Sequence, residues 1–96
     1  MIIRLVKLEI HPEHVETFEA IFGRVAPQIR TMQGCRGVEL LKDIHHTGTF
    51  FTISRWNREV DLENYRSSPL FRNTWQQVKP LFAKPAKAWS MVKVNE

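Results

Sequence analysis

The chain has 96 residues, of which 43% are hydrophobic and 25% charged, the balance of one ordinary globular domain with a thin core. This composition excludes a disordered tail, a collagen-like repeat and a coiled-coil rod, and no run approaches the roughly 18 apolar residues of a membrane span. The formal net charge of +4 admits a nucleic-acid partner, subject to the strand pattern.

Residues 2–10 predict a first strand, rich in β-branched side chains at period two. Ile2, Val6, Leu8 and Ile10 fall on one face, and Ile3, Leu5, Lys7 and Glu9 on the other. The second face turns polar only towards its end, so part of it is expected to be covered. His11-Pro12-Glu13 opens a helix, because proline suits the first helical position, and Glu13 and Glu16 favour the positive end of the helix dipole. Val15, Phe18, Phe22, Val25, Ile29 and Met32 then follow at steps of three and four, a helical stripe. Pro27 removes a backbone hydrogen bond to Gly23, so a kink is expected near 23–27.

Gln33-Gly34 ends that helix. A second strand is predicted over 35–44, a turn over His45-His46-Thr47-Gly48, and a third strand over 49–56, together a hairpin. A short helix over 58–66 is followed by a second piece, with Ser68 as N-cap and Pro69 at its first position. Phe71, Trp75, Val78 and Phe82 form its stripe. Lys84-Pro85 reads as a break, and the last strand is expected over 87–94. The order is β-α-β-β-α-β with the second helix broken: a single α+β domain over 1–96, ferredoxin-like, with an antiparallel sheet and both helices on one face.

Five features then occur in order: Pro27 late in the first helix, Gln33-Gly34-Cys35-Arg36-Gly37, Ile53-Ser54-Arg55-Trp56, Leu62-Glu63-Asn64-Tyr65, and Ser67-Ser68-Pro69-Leu70-Phe71. In this the chain resembles the antibiotic biosynthesis monooxygenase (ABM) family over nearly its whole length. The resemblance implies a homodimer whose two sheets pack face to face as a dimeric α/β barrel. It also implies a pocket between sheet and helices and, in one branch, oxidation of phenols or hydroquinones without a cofactor. Trp56 matches the tryptophan that closes strand three in the family's polyketide oxygenases. Their asparagine four residues earlier is Thr52 here, their tyrosine six residues later is Leu62, and their helix arginine falls at about Trp75. Tyr65 stands where quinol oxygenases and an autoinducer isomerase carry a histidine. Haem-degrading members have tryptophan at that place and a haem-ligating histidine ten residues on, where this chain has Trp75. The haem ligand is absent from the pattern.

Each candidate carries two readings. Trp56 is a hydrophobic anchor at a strand end or a pocket wall. Tyr65, the single tyrosine, is a half-buried helix residue or a donor to a substrate oxygen; its ordinary pKa near 10 makes it a poor base at neutral pH. Trp75 and Phe71 belong to the core stripe or wall a flat aromatic ligand. Arg55 is the candidate to offset negative charge, and Thr52 completes the substrate-binding set. His11 and His14 lack a third metal ligand at good spacing, and His45 and His46 read as solvated turn residues. Lone Cys35 has no disulfide partner and reads as a buried thiol. With no visible signal peptide, it sets the expectation of a cytoplasmic protein.

No glycine-rich phosphate loop is present. Phe50 and Phe51 are adjacent and point to opposite faces, and strand one has no aromatic, so the stacking platform of RNA-recognition domains is not formed. The expected partners are therefore a second copy of the chain and a small aromatic or anionic molecule, with neither nucleic acid nor membrane. The expected activity is a cofactor-free ABM-type monooxygenation of a small phenol or hydroquinone, with Tyr65 and Trp56 as catalytic candidates. The alternative is a non-enzymatic small-ligand binder or sensor on the same dimer.

Overall fold

Residues 1–95 are described by a computed structural model, and their elements follow the predicted order. Strand β1 spans Ile2–Ile10, and a single 3-10 turn at Pro12–His14 leads into helix α1, Val15–Arg30. Strands β2 (Cys35–Lys42) and β3 (Thr49–Trp56) form the hairpin. Helices α2 (Glu59–Arg66) and α3 (Pro69–Val78) follow, then a 3-10 turn at Lys79–Leu81 and strand β4, Phe82–Met91. The four strands make one antiparallel sheet in the order β2-β3-β1-β4. This is the ferredoxin-like α+β arrangement.

The core fills the layer between sheet and helices. Leu8 and Ile10 of β1, Phe50 and Trp56 of β3, Phe18 of α1 and Leu62 of α2 are all buried in it. Phe18 and Phe50 pack at a ring-centroid distance of 5.0 Å. α1 runs on through Pro27 to Arg30 and buries Phe18, Ile21, Val25, Ala26 and Ile29 along one face. Pro27 itself lies on the exposed side. At the helix break, Ser68 Oγ accepts a hydrogen bond from the Phe71 N–H at 3.2 Å and donates one to the Tyr65 carbonyl at 2.6 Å. The predicted N-cap therefore stands, with Pro69 next to it.

Two turns depend on glycine. Gly34 has φ +81°, and a Cβ there would collide with the buried Asp61 side chain at the start of α2. Gly48 has φ +91° and closes the hairpin turn against the Ile10 carbonyl, while its own carbonyl accepts the Ile10 N–H at 2.8 Å. Both are conformations L side chains rarely adopt.

Strand β4 differs from expectation. It begins at Phe82, five residues before the predicted start, and ends at Met91 rather than Val94. The reason is its place at the sheet edge. Pairing with β1 steps irregularly between Lys7↔Lys87, Glu9↔Lys84 and Ile10↔Phe82, so β4 accommodates extra residues as bulges around Pro85. A proline that lacks its N–H is tolerated on an edge strand or in a bulge. The break read at Lys84-Pro85 is a bulge within the strand.

Among the described residues no helix covers the opposite face of the sheet. Ile3 and Leu5 of β1, Phe51 and Ile53 of β3, and Trp89 and Met91 of β4 share it by register. Trp89 and Met91 are 44% and 42% exposed. No helix among the described residues is long and apolar enough to cross a membrane.

Candidate active site

Alternation along β1 and β3 directs Arg4, Val6 and Leu8, with Thr52 and Ser54, towards the helices. Opposite them, Tyr65 comes from α2, and Phe71 and Trp75 from α3. Between these groups lies a cavity of about 250 Å³, bordered also by α1 and by Ala86 and Ala88 of β4 and open to solvent on one side. The two alanines leave the space that larger side chains would fill.

One aromatic chain runs along the helix side. Tyr65 stacks on Trp56 with ring centroids 5.0 Å apart and planes 21° from parallel. Phe71 meets Tyr65 edge-on at 5.2 Å, Trp75 follows at 5.6 Å, and Phe82 meets Trp75 edge-on at 5.5 Å. These are favoured offset and edge-to-face geometries. The chain is held at one end by Trp56, which is wholly buried and donates its indole N–H to Ser54 Oγ at 2.9 Å. Burial pushes the Tyr65 phenol up to about 12, with Cys35 nearby adding a smaller upward push. Tyr65 therefore keeps its proton at neutral pH and acts as a donor.

The structure brings Thr52, Tyr65, Phe71 and Trp75 around one cavity. Trp56 does not line it; it backs the Tyr65 ring, so its contribution to the site is to fix that ring. Arg55 does not reach the cavity either. It lies one residue from Ser54 and so points through the opposite face of the sheet, where its Nη1 pairs with Glu39 Oε1 at 3.6 Å. The cationic group beside the cavity is Arg4 instead. Its side chain is partly buried, and its guanidinium donates to the exposed Ser90 Oγ at 3.0 Å. Burial, and then repulsion from Arg66, hold its pKa below the ordinary value, while Glu63 opposes that shift. Arg66 also lines the cavity and is paired with Glu63 at 3.3 Å.

Reasoning from the residues missed Arg4, Ser54, Thr74 and Arg66. For Arg4 a signal was present: period two places it between Ile2 and Val6, a single charge on an otherwise apolar face.

The fold and this cavity define an α+β domain with a largely apolar cavity between its sheet and its helices. The profile of the family described as antibiotic biosynthesis monooxygenase matches residues 1–77, and the chain belongs to that family. Among solved structures it is similar to a Mycobacterium tuberculosis protein at 20% identity and a TM-score of 0.90, over 99% of this chain and 96% of that one. It is similar to a structure described as an antibiotic biosynthesis monooxygenase at 17% identity and a TM-score of 0.91, covering 98% and 99% of the two chains. A conserved Methanosarcina mazei protein matches at 18% identity and a TM-score of 0.90, over 97% and 93%. At these identities the likeness is one of fold. No curated protein sequence matches the chain.

Proposed function

We propose that the protein is a monooxygenase that holds a small aromatic phenol or hydroquinone in this cavity and uses neither metal nor bound cofactor, and that two copies pair through their open sheet faces. The observation that carries the reading is the cavity itself: aromatic on the helix side, apolar on the sheet side, with a few hydroxyls between, in a chain of this family.

Its volume of about 250 Å³ lies just below the usual range for small-molecule pockets, which suits a ligand of one or two rings. Phe71 and Trp75 flank a ring, and the hydroxyls of Tyr65 and Thr52 offer hydrogen bonds to its oxygen. For a phenol with an open para position the balance is simple. One atom of dioxygen enters the ring and the other leaves as water. The ring supplies all four electrons, and its C–H and O–H supply the two hydrogens of the water.

Among the described residues no Asp, Glu, His or Lys side chain lines the cavity, and Tyr65 keeps its own proton. The substrate must therefore ionise by losing its proton to water. The positive charge of Arg4 and Arg66 favours that anion, and the apolar walls strengthen the attraction. The electron-rich anion then reacts with dioxygen directly.

The test is oxygen uptake with a panel of phenols and hydroquinones. Consumption above the buffer rate is expected, and Tyr65→Phe is expected to slow it about tenfold, the effect of one hydrogen bond to a developing charge. If no panel member is consumed faster than in buffer, the enzyme reading fails. The missing base favours a second reading, a binder or sensor of small aromatic ligands. Thermal stabilisation by a panel member without oxygen uptake would establish it.

A further inference from the structure

Arg4 is out of place for a structural residue. Its neighbours across the sheet are Ser54 on β3 and Ser90 on β4, and its side-chain bond goes to Ser90 Oγ at 3.0 Å. Among the described residues no carboxylate lies within ion-pair distance of it, whereas Arg66 has Glu63 and Arg55 has Glu39. Ser54 Oγ already accepts the Trp56 indole N–H. A guanidinium has five donors in a planar fork, and Arg4, which lines the cavity, commits one nitrogen to Ser90.

The surroundings favour an anion beside these donors. Arg4 is partly buried, a second guanidinium lines the same cavity, and among the described residues no acidic side chain does. Glu63, the nearest acid to the pair, is tied to Arg66. A planar fork matches a carboxylate in two parallel hydrogen bonds, which a point charge does not.

We infer that the cavity is built for an aromatic carboxylate, the ring lying against Trp75 and Phe71 and the carboxylate on Arg4. The inference rests on the cavity being the ligand site proposed above and names its substrate class: a hydroxylated aryl acid whose position para to the hydroxyl is open, its carboxylate on Arg4 and its ring hydroxyl left for Tyr65 and Thr52. Arg66, held by Glu63, adds field rather than a direct contact.

Calorimetric titration with matched probes tests this: benzoate against benzamide, and 2-naphthoate against 2-naphthamide. The carboxylate of each pair is expected to bind roughly tenfold to a hundredfold more tightly than the amide, the range for hydrogen bonds to a charged group. Arg4→Gln should remove that preference, weakening the carboxylate of each pair far more than the amide. Arg4→Lys should keep part of it, because the charge stays and the fork is lost. Arg66→Gln should cost only about twofold to threefold, the size of a screened surface charge effect. Equal binding of acid and amide to the wild type overturns the charge assignment while leaving the cavity as a ligand site. A preference that survives in Arg4→Gln overturns the role of Arg4, with Arg4→Lys as the control should the glutamine variant misfold. Failure of all four probes to bind at millimolar concentration overturns the pocket reading and this inference together.

Discussion

β1 turns Leu8 towards the helices and Leu5 away from them, and the two leucines meet different surroundings. Leu8 is 5% exposed and sits in the core with Phe18 and Phe50. Leu5 is half-buried, covered only by its neighbours Ile53 and Trp89 on the adjacent strands. One face of the sheet is thus finished within a single chain, and the other presents a row of apolar side chains to whatever lies outside. An apolar face rimmed by charge, here by Lys7, Lys87 and the Arg55–Glu39 pair, is the pattern of an association surface. The comparison shows how a chain this short can hold a ligand cavity. Residues that would otherwise fill the core are spent on the second face, and we propose that burial against a second copy supplies the missing stability.

The comparison breaks most sharply with one substitution on each side. Leu8→Asp places a carboxylate in a closed core and is expected to unfold the domain, seen as loss of the far-ultraviolet circular dichroism signal. Leu5→Asp leaves the single subunit able to fold, because water reaches that face, but it buries a charge in the paired form. The expected cost to pairing is about 3 kcal/mol or more, over a hundredfold in dimer affinity. Sedimentation of both proteins across a concentration series measures it. A wild type that stays monomeric at micromolar concentration, or a Leu5→Asp variant that pairs as well as wild type, would remove the proposed role of this face.

A second measurement sharpens what the covered face does to its contents. The phenol of Tyr65 is pushed up to about 12 chiefly by burial, from about 10 in an unfolded chain. The folded state therefore holds this proton more tightly than the unfolded state. Its share of stability is complete below pH 10 and is lost as pH rises from about 10 to about 12, an effect on the order of 2 kcal/mol. Since the chain has one tyrosine, tyrosinate absorbance reports this site alone. The titration midpoint should lie well above that of the urea-unfolded protein, and Tyr65→Phe should flatten the alkaline fall in stability. Coincident midpoints would mean that solvent reaches the ring freely.

The element order, the helix break and the aromatic part of the cavity wall were legible in the sequence because each has a local cause. Period two marked the strands, steps of three and four marked the helix stripes, and Ser68-Pro69 marked the break by its own capping chemistry. Pro85 was read as an end because its local effect is to remove a donor; its tolerance follows from β4 lying at the sheet edge, which is a property of topology. The charge of Arg55 suits an anionic substrate, but adjacent residues on a strand face opposite ways, so if one of Ser54 and Arg55 meets the helices the other cannot. Trp56 was found as an aromatic of the site, yet its role depends on Tyr65 stacking over it, and that contact comes from a helix packed on the strand end. Arg4 carried the same period-two signal as its neighbours, and only the cavity on that side distinguishes a functional charge from a tolerated one.

The smallest expected effect lies at the joint that holds the covered face together. Ser68 ties Tyr65 to Phe71: its hydroxyl donates to the Tyr65 carbonyl and accepts from the Phe71 N–H. These two rings meet edge-on at 5.2 Å and form part of the cavity wall. Ser68→Ala removes both bonds without removing either ring. The expected loss is about 1 kcal/mol of stability, the usual cost of an N-cap, read by urea denaturation. Ser68→Thr keeps the hydroxyl and should recover most of it. Because the joint touches only the helix-covered side, aryl ligand binding should weaken in Ser68→Ala while subunit pairing stays as in wild type. An equal loss in both would mean that the two faces are coupled through the sheet, and that the separation drawn from Leu5 and Leu8 does not extend to their energetics.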